Sequence, residues 1–515
     1  MVGVINSLTA AGLPLEEVTL ADELRAAGYA TLALGKWHQG QLPQYLPARR
    51  GFDEFLGLPF SVDDGSGWLS ACEDTTAAAK DAAAVLADAS IERPSVGLGP
   101  LLPLPLLRQV GDNVSEIVEQ PTDIRKLTAR LLRHASSFVT AQQAKPFFVY
   151  FAFGHVHVAT ENISPDRQYS GCAFVGRTPR PFHDALAEVD DAVGTLVAHV
   201  ASLGLAERTL TIFTSDNGPS LRWEGGAGNA GPFVGASAAF TNGTRYQNTA
   251  KGSTWEGGIR MPAFVHWPGV VAPLTAVHTT VSTLDVLPSL LHLVGKEPRP
   301  PRVLDGTVSL SDAILAPAGH SPPTRHAFLP FYNEPDYGNA SRRIFAARYG
   351  KYKVHWITSP GLGGGLLPYS SPSPEAEHSA RPLVFDVTAD PAEAFPLLEA
   401  ALPPALLADV AAAKAAYERT LAPTSIDPAW GYEHALCCGV GCTPPCKCKC
   451  KGAADSLKWS DGSATHTHTH THTHTHTHTC MCVCVVRVEA AQNYGDAVVG
   501  GHNENAIGSL PCLPV

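Results

Sequence analysis

The 515-residue chain contains no run of eighteen or more apolar residues, so no membrane-crossing helix is expected. It has no long basic block. Its 37 Lys and Arg against 48 Asp and Glu give a formal charge of −11, which argues against nucleic acid as a main partner. The first ten residues lack a basic stretch followed by a long apolar one, so they do not read as a signal peptide. Cysteine is scarce before position 430, where only Cys72 and Cys172 occur. Charged residues are 17% and apolar residues 44%, which supports a sizeable core and excludes a chain disordered throughout. The length suits two or three domains.

What is present starts with the crowding of the other cysteines. Cys437, Cys438, Cys442, Cys446, Cys448 and Cys450 form one group, Cys480, Cys482 and Cys484 another, and Cys512 is last. Such crowding reads as a local disulfide knot or a metal knuckle. Sequons at Asn113, Asn162, Asn242 and Asn339 point toward an oxidising, secretory compartment, as the disulfide reading would require.

Strand and helix patterns alternate. Thr19 is a candidate N-cap, with Asp22 placed to complete a capping box, for a helix over 19–29 that Gly28 stops. Residues 30–34 read as a short buried strand breaking at Gly35. Residues 146–153 are apolar throughout, as befits a strand covered on both faces. An amphipathic helix over 183–203, strands at 209–214 and 261–267, and a helix near 284–294 follow. This order predicts an α/β fold with a large, mostly parallel central sheet flanked by helices. Residues 75–110 read as an insertion. Beyond about 300, short strands at 344–347, 351–357 and 383–387 and an Ala-rich helix near 403–421 suggest a smaller α+β domain.

Residues 465–479 alternate Thr and His, and Cys480-Met-Cys-Val-Cys-Val485 follows. In codons these are AC and GT dinucleotide repeats, so residues from about 451 onward read as simple-repeat DNA translated through, forming a disordered tail. The other reading is a metal-binding tract, since alternate histidines line one face of a strand.

Four polar clusters fall at predicted strand ends, where α/β sheets bind ligands. Lys36 and His38, two apart, leave the first strand together. His155 and His157 leave the strand at 146–153 and share a side of an extended segment, suited to holding a metal or supplying an acid. Asp216 and Asn217, before Gly218, offer a carboxylate beside an amide, donors suited to Ca²⁺ or Mg²⁺. Lys251 precedes a Gly-Ser-Thr turn, and Glu256 and Arg260, four apart, are placed to pair. Taken singly, each has an ordinary structural explanation. Together they describe a cationic pocket for a tetrahedral oxyanion such as sulfate or phosphate.

These segments resemble the sulfatase family of the alkaline-phosphatase-like superfamily, most nearly its arylsulfatases. The resemblance rests on Thr19-Leu-Ala-Asp-Glu-Leu-Arg-Ala-Ala-Gly-Tyr-Ala with Gly35-Lys-Trp-His-Gln-Gly, on Arg50-Gly-Phe-Asp-Glu-Phe-Leu-Gly-Leu-Pro-Phe-Ser61, and on Lys145-Pro-Phe-Phe-Val-Tyr-Phe-Ala. Glu188-Val-Asp-Asp-Ala-Val-Gly, Phe213-Thr-Ser-Asp-Asn-Gly-Pro, Lys251-Gly-Ser-Thr-Trp-Glu-Gly-Gly-Ile-Arg260 and Gly350-Lys-Tyr-Lys-Val-His355 extend it, and the likeness spans about 12–450. It implies a sulfatase catalytic domain over 1–300, a smaller C-terminal domain over 301–450 ending in a cysteine knot, and the tail over 451–515.

The resemblance also implies roles. Sulfatases convert a Cys or Ser in a Cys-x-Pro-Ser-Arg-type motif to formylglycine, whose hydrate attacks sulfur. Asp216 and Asn217 would hold Ca²⁺. Lys36 would neutralise sulfate charge, His38 would accept a proton as sulfate is expelled, and His157 would protonate the leaving oxygen. Lys251 would contact the sulfate and the bridging oxygen, and Ser61 the substrate. The expected substrate is a sulfate-ester small molecule, a sulfolipid or a sulfated glycan, in a lysosome-like or extracellular setting. No Cys-x-Pro-Ser-Arg segment occurs, nor the Asp-Asp metal ligands of the family's first strand. We therefore expect an N-terminally truncated sulfatase, inactive as it stands, missing a strand near the middle of its sheet. Ala250 replaces a family Cys, and Cys72 lacks nearby partners for the family's mid-chain disulfides. The alternatives are a phosphatase or phosphodiesterase of the same superfamily, or a non-catalytic sulfate- or glycan-binding pseudoenzyme.

Overall fold

A computed structural model describes residues 9–62, 65, 67, 70, 72, 104–111, 115–157, 170–178, 180–220, 228–233, 235, 249–299, 304–332, 343–359, 375–421, 446–449 and 481–488. The four sequons, the Thr-His repeat and most of the cysteine group at 437–450 lie outside these residues.

The first helix, α1 (Leu20–Ala26), starts as its sequence dictates. The Thr19 side chain accepts the Asp22 N–H at 3.0 Å, and the Asp22 carboxylate accepts the Thr19 N–H at 2.9 Å. Gly28, at φ +91°, takes the left-handed conformation that ends it. Strand β1 (Ala30–Lys36) runs two residues past the expected end. Gly35 stays in the ladder at φ +85°, where any Cβ would lie 1.7 Å from the carbonyl oxygen of Ala152. A glycine here permits close strand contact instead of stopping the strand.

The large sheet continues with β2 (Glu54–Leu58), β3 (Leu106–Val110), β4 (Ser115–Gln120), β5 (Phe147–Ala152), β6 (Thr209–Ser215) and β7 (Ala263–His266). Helices α2 (Ile124–Ala141), α3 (Pro181–Ser202), α4 (Glu256–Ile259), α5 (Val286–Leu293) and α6 (Ser309–Ile314) accompany it. Phe147, Val149 and Phe151 of β5 join one apolar cluster with α2 and α3, while Phe148 and Tyr150 join another with α1, α5 and α6. Because helices cover both faces, β5 is apolar throughout instead of alternating.

A smaller antiparallel sheet has the order β13-β10-β9-β8, built from β8 (Leu329–Tyr332), β9 (Ile344–Tyr349), β10 (Tyr352–His355) and β13 (Leu383–Asp386). Strands β11 (Ile357–Thr358) and β12 (Ala376–Glu377) pair beside it, and α7 (Leu406–Glu418) packs Leu406 and Val410 on Val354 and Val384. Two further strands join the large sheet: β14 (Cys446–Lys449) at its edge and β15 (Met481–Arg487) inside it.

Three expectations change. The large sheet, of order β14-β4-β3-β2-β1-β5-β15-β6-β7, is mixed: adjacent parallel pairing is confined to β2-β1-β5. The tail expected to lack structure supplies β15, antiparallel to both β5 and β6. Its alternation explains this. Met481, Val483 and Val485 enter one core cluster, and Cys484, Val486 and Val488 the other, so a repeat-like sequence has the pattern of a two-sided buried strand. Finally, Cys72 does have a partner: it forms a disulfide with Cys172, 100 residues away, which sequence proximity could not reveal.

Candidate active site

Strands β1, β2, β5 and β6 run in one direction, so the segments leaving their carboxyl ends gather along one rim. Lys36 closes β1 and is buried. The next two residues are zipped to the segment after β2: Trp37 N–H donates to the Leu58 carbonyl at 2.9 Å and His38 N–H to the Pro59 carbonyl at 3.0 Å. This holds His38, at φ +53°, and the fully buried Ser61 at the ends of adjacent strands.

Beyond β5 the two histidines differ. His155 is buried, with Nε2 3.0 Å from a carboxylate oxygen of Glu188 on α3, an oxygen that also accepts the Gly171 N–H at 2.8 Å. Burial pushes the Glu188 carboxyl up, but the His155 charge and hydrogen bond, with those from Gly171 and Thr128, hold it below its usual value. His157, also buried, places Nε2 3.4 Å from Nζ of Lys251. His155 is thus anchored to the helix layer, and His157 meets the lysine.

After β6, Asp216 is exposed and Asn217 half-buried. The Ser215 hydroxyl donates to the Asn217 carbonyl at 3.0 Å. Gly218 N–H donates to the Gly258 carbonyl at 2.9 Å, and Lys251 N–H to the Pro219 carbonyl at 3.0 Å. These bonds lace the Asp216-Asn217 loop to the turn bearing Lys251. A Cβ at Gly218 would lie 2.0 Å from the Gly257 carbonyl oxygen, so only glycine permits this lacing. The Ser253 hydroxyl, donating to the Thr249 and Ala250 carbonyls at 2.8 Å, tightens the turn.

Asp216 and Asn217 are hard-oxygen donors of the kind calcium takes, but Ca²⁺ needs about six to eight oxygens. Among the described residues no three His, Cys, Asp or Glu side chains converge as a metal cluster. The described donors therefore do not complete a calcium site.

The structure adds Glu393, which no motif contained, and gives other motif residues partners that the sequence did not show. Glu188 orients His155 from 33 positions away. Glu256 is closer to Lys353, at 3.0 Å, than to Arg260, at 3.7 Å, and joins a buried cluster with Glu393 and His355. Lys353 and His355 were readable as sharing one face of a strand, but nothing in sequence tied them to residue 256.

Fold and rim together define an α/β protein that gathers polar groups at the carboxyl ends of its central strands. Comparison narrows this. Residues 2–296 match the Sulfatase family, and residues 324–450 match the C-terminal region of aryl-sulfatase. Arylsulfatase A of Homo sapiens is 37% identical over 461 residues, covering 86% of this chain and 80% of that protein. Steryl-sulfatase of Rattus norvegicus is 30% identical over 437 residues, covering 76% and 71%. The solved structure of PsFucS1 sulfatase from Pseudoalteromonas sp. is similar at a TM-score of 0.62 and 25% identity, covering 82% and 78%. The chain belongs to the sulfatase family.

Proposed function

We propose that the chain is built for sulfuric ester hydrolysis of the arylsulfatase type, acting on a sulfate monoester carried by a small molecule, a sulfolipid or a glycan. The observation that carries this reading is the buried Lys251–His157 pair, 3.4 Å apart at the strand rim of a sulfatase-family chain. Both groups can donate to an anion at their meeting point, and a low-dielectric setting strengthens such bonds. Lys251 holds sulfate and the bridging oxygen. His157 delivers a proton to the leaving oxygen, Lys36 offsets sulfate charge, His38 takes up a proton when sulfate leaves, and Ser61 contacts substrate.

Asp216 and Asn217 would supply two of the oxygen donors that a Ca²⁺ ion takes. Formylglycine, in the family's Cys-x-Pro-Ser-Arg-type motif, supplies the nucleophile. The 515 residues contain no such motif. We therefore expect them to bind sulfate without turnover. The Cys72–Cys172 disulfide supports a secretory setting.

Titration calorimetry with inorganic sulfate and 4-nitrocatechol sulfate, followed by a colorimetric turnover assay, tests the reading. Binding that Lys251→Ala abolishes supports it, whereas equal binding by both proteins overturns it. Turnover of 4-nitrocatechol sulfate lost in His157→Ala would refute the need for the nucleophile motif.

A further inference from the structure

Lys251 owes its position to more than its own turn. Five residues on, Glu256 opens α4, and its N–H donates to one Glu393 carboxylate oxygen at 2.5 Å. The other Glu393 oxygen faces Nζ of Lys353 at 3.1 Å and Nε2 of His355 at 2.7 Å. Lys353 also reaches the Glu256 carboxylate at 3.0 Å. Trp255 stacks on His355 with ring centres 4.5 Å apart and donates its indole N–H to the Ser359 carbonyl at 3.2 Å. A second backbone tie runs from Gly235 N–H to the Ala392 carbonyl at 2.9 Å. Lys353, His355 and Glu393 are fully buried, and Glu393 sits at φ +51°. All three come from the smaller sheet and the loop after β13, whereas Lys251 and Glu256 belong to the loop leaving the large sheet.

A buried charge cluster with this many directed bonds fixes geometry more than it adds stability. The structure assigns Glu393, with Lys353 and His355, the role of a positioning cluster: it clamps the start of α4 so that Lys251 is held against His157. The smaller sheet thereby sets the affinity of the rim for a sulfate group. This assignment rests on the function proposed above.

The test uses the full chain and inorganic sulfate. Glu393→Gln keeps the shape and removes the charge. It should raise the sulfate Kd about tenfold or more, the scale seen when a group orienting a ligand-binding side chain is lost. It should also shift the His157 ring NMR signals before any sulfate is added. Asp285→Asn is the control for general destabilisation. It weakens another buried carboxylate cluster, in which Asp285 meets His326 at 2.8 Å and the Thr307 N–H at 2.6 Å. It should lower stability yet leave sulfate affinity and the His157 signals unchanged. Trp255→Phe, which keeps every charge but loses the bond to Ser359, provides a second, milder variant if Glu393→Gln folds poorly. Its Kd should also rise, by less.

Wild-type affinity and unshifted His157 signals in both Glu393→Gln and Trp255→Phe would overturn the positioning role alone, provided Lys251→Ala abolishes binding. Equal weakening by Asp285→Asn would overturn it too. Wild-type sulfate binding that survives Lys251→Ala, or no binding by the wild type, would instead bring down the functional reading, and this assignment with it.

Discussion

At the scale of single residues, the rim separates two histidines that look equivalent in sequence. His155 and His157 are two apart, and alternation predicted a shared side and a shared task. The fold gives His155 to Glu188 and His157 to Lys251. The two should therefore respond to different measurements. Glu188→Gln leaves a buried imidazole beside a neutral amide, and should lower unfolding stability by about 3 to 5 kcal/mol in urea denaturation, the cost of breaking a buried ion pair. A stability within 0.5 kcal/mol of wild type, the range of an ordinary surface substitution, would show that the pair is dispensable. The strand-end positions of Lys36, His38, His157 and Asp216 were legible because basic and oxygen-bearing groups followed apolar runs, whereas Lys251 follows no strand directly among the described residues and joins the rim through the turn tied to Pro219. Glu188 and Glu393 were not, because their partners lie 33 and 38 or more residues away and only packing joins them.

At the scale of elements, β15 changes the picture most. It separates β5 and β6, the two strands that carry the histidines and the Asp216-Asn217 loop, and it ties to the rim directly. Met481 N–H donates to the His155 carbonyl at 3.2 Å, and Phe153 N–H to the Met481 carbonyl at 2.8 Å. Cys482 lies opposite Thr214 in the ladder. Directly opposed antiparallel residues have Cα atoms about 4.5 to 5.5 Å apart, within disulfide reach. Mild oxidation of Thr214→Cys should thus produce a disulfide between position 214 and Cys482 within one monomer, detected by peptide mapping. Failure to form it would remove β15 from this register, and a disulfide-linked dimer would show the strand crossing between chains. Val485→Asp, which puts a carboxylate into the core beside Val149 and Thr211, should prevent cooperative folding. Most other elements were legible from composition and periodicity: the capping box of α1, the continuous apolar run of β5, the amphipathic α3. The register and direction of β15 were not, because codon periodicity and strand alternation leave the same two-residue signature, and only its pairing with β5 and β6 distinguishes them.

At the scale of the whole molecule, two sets of titratable groups among the described residues define two pH windows. Glu188, Asp285 and Glu393 are held below their usual carboxyl values. In each case burial raises the carboxyl, and partners more than offset it: His155 for Glu188, His326 for Asp285, and Lys353 with His355 for Glu393. A depressed carboxyl contributes stability that is present above the unfolded-state value, 4.5 for Glu and 3.8 for Asp, and is lost as pH falls through the folded value. His355 and His378 are pushed below the usual 6.5 chiefly by burial, with Glu393 opposing the shift at His355 and His355 adding to it at His378. For a histidine shifted this way, the unfolded chain takes up the proton first. Its contribution is complete above 6.5 and declines as pH falls toward the folded value. Unfolding free energy from urea denaturation should therefore decline modestly from pH 7 to pH 5 and steeply below about 4.5. His355→Gln keeps an amide that can donate to Glu393 but cannot take up the proton. It should flatten the decline between pH 7 and pH 5 and leave the acidic limb in place. Parallel profiles for the two proteins would assign that first window to other groups and leave His355 with a packing role alone. A variant that loses the acidic limb instead would mean that the carboxylates of the smaller sheet titrate through His355, so that the clamp on Lys251 and the acid stability of the fold are one property.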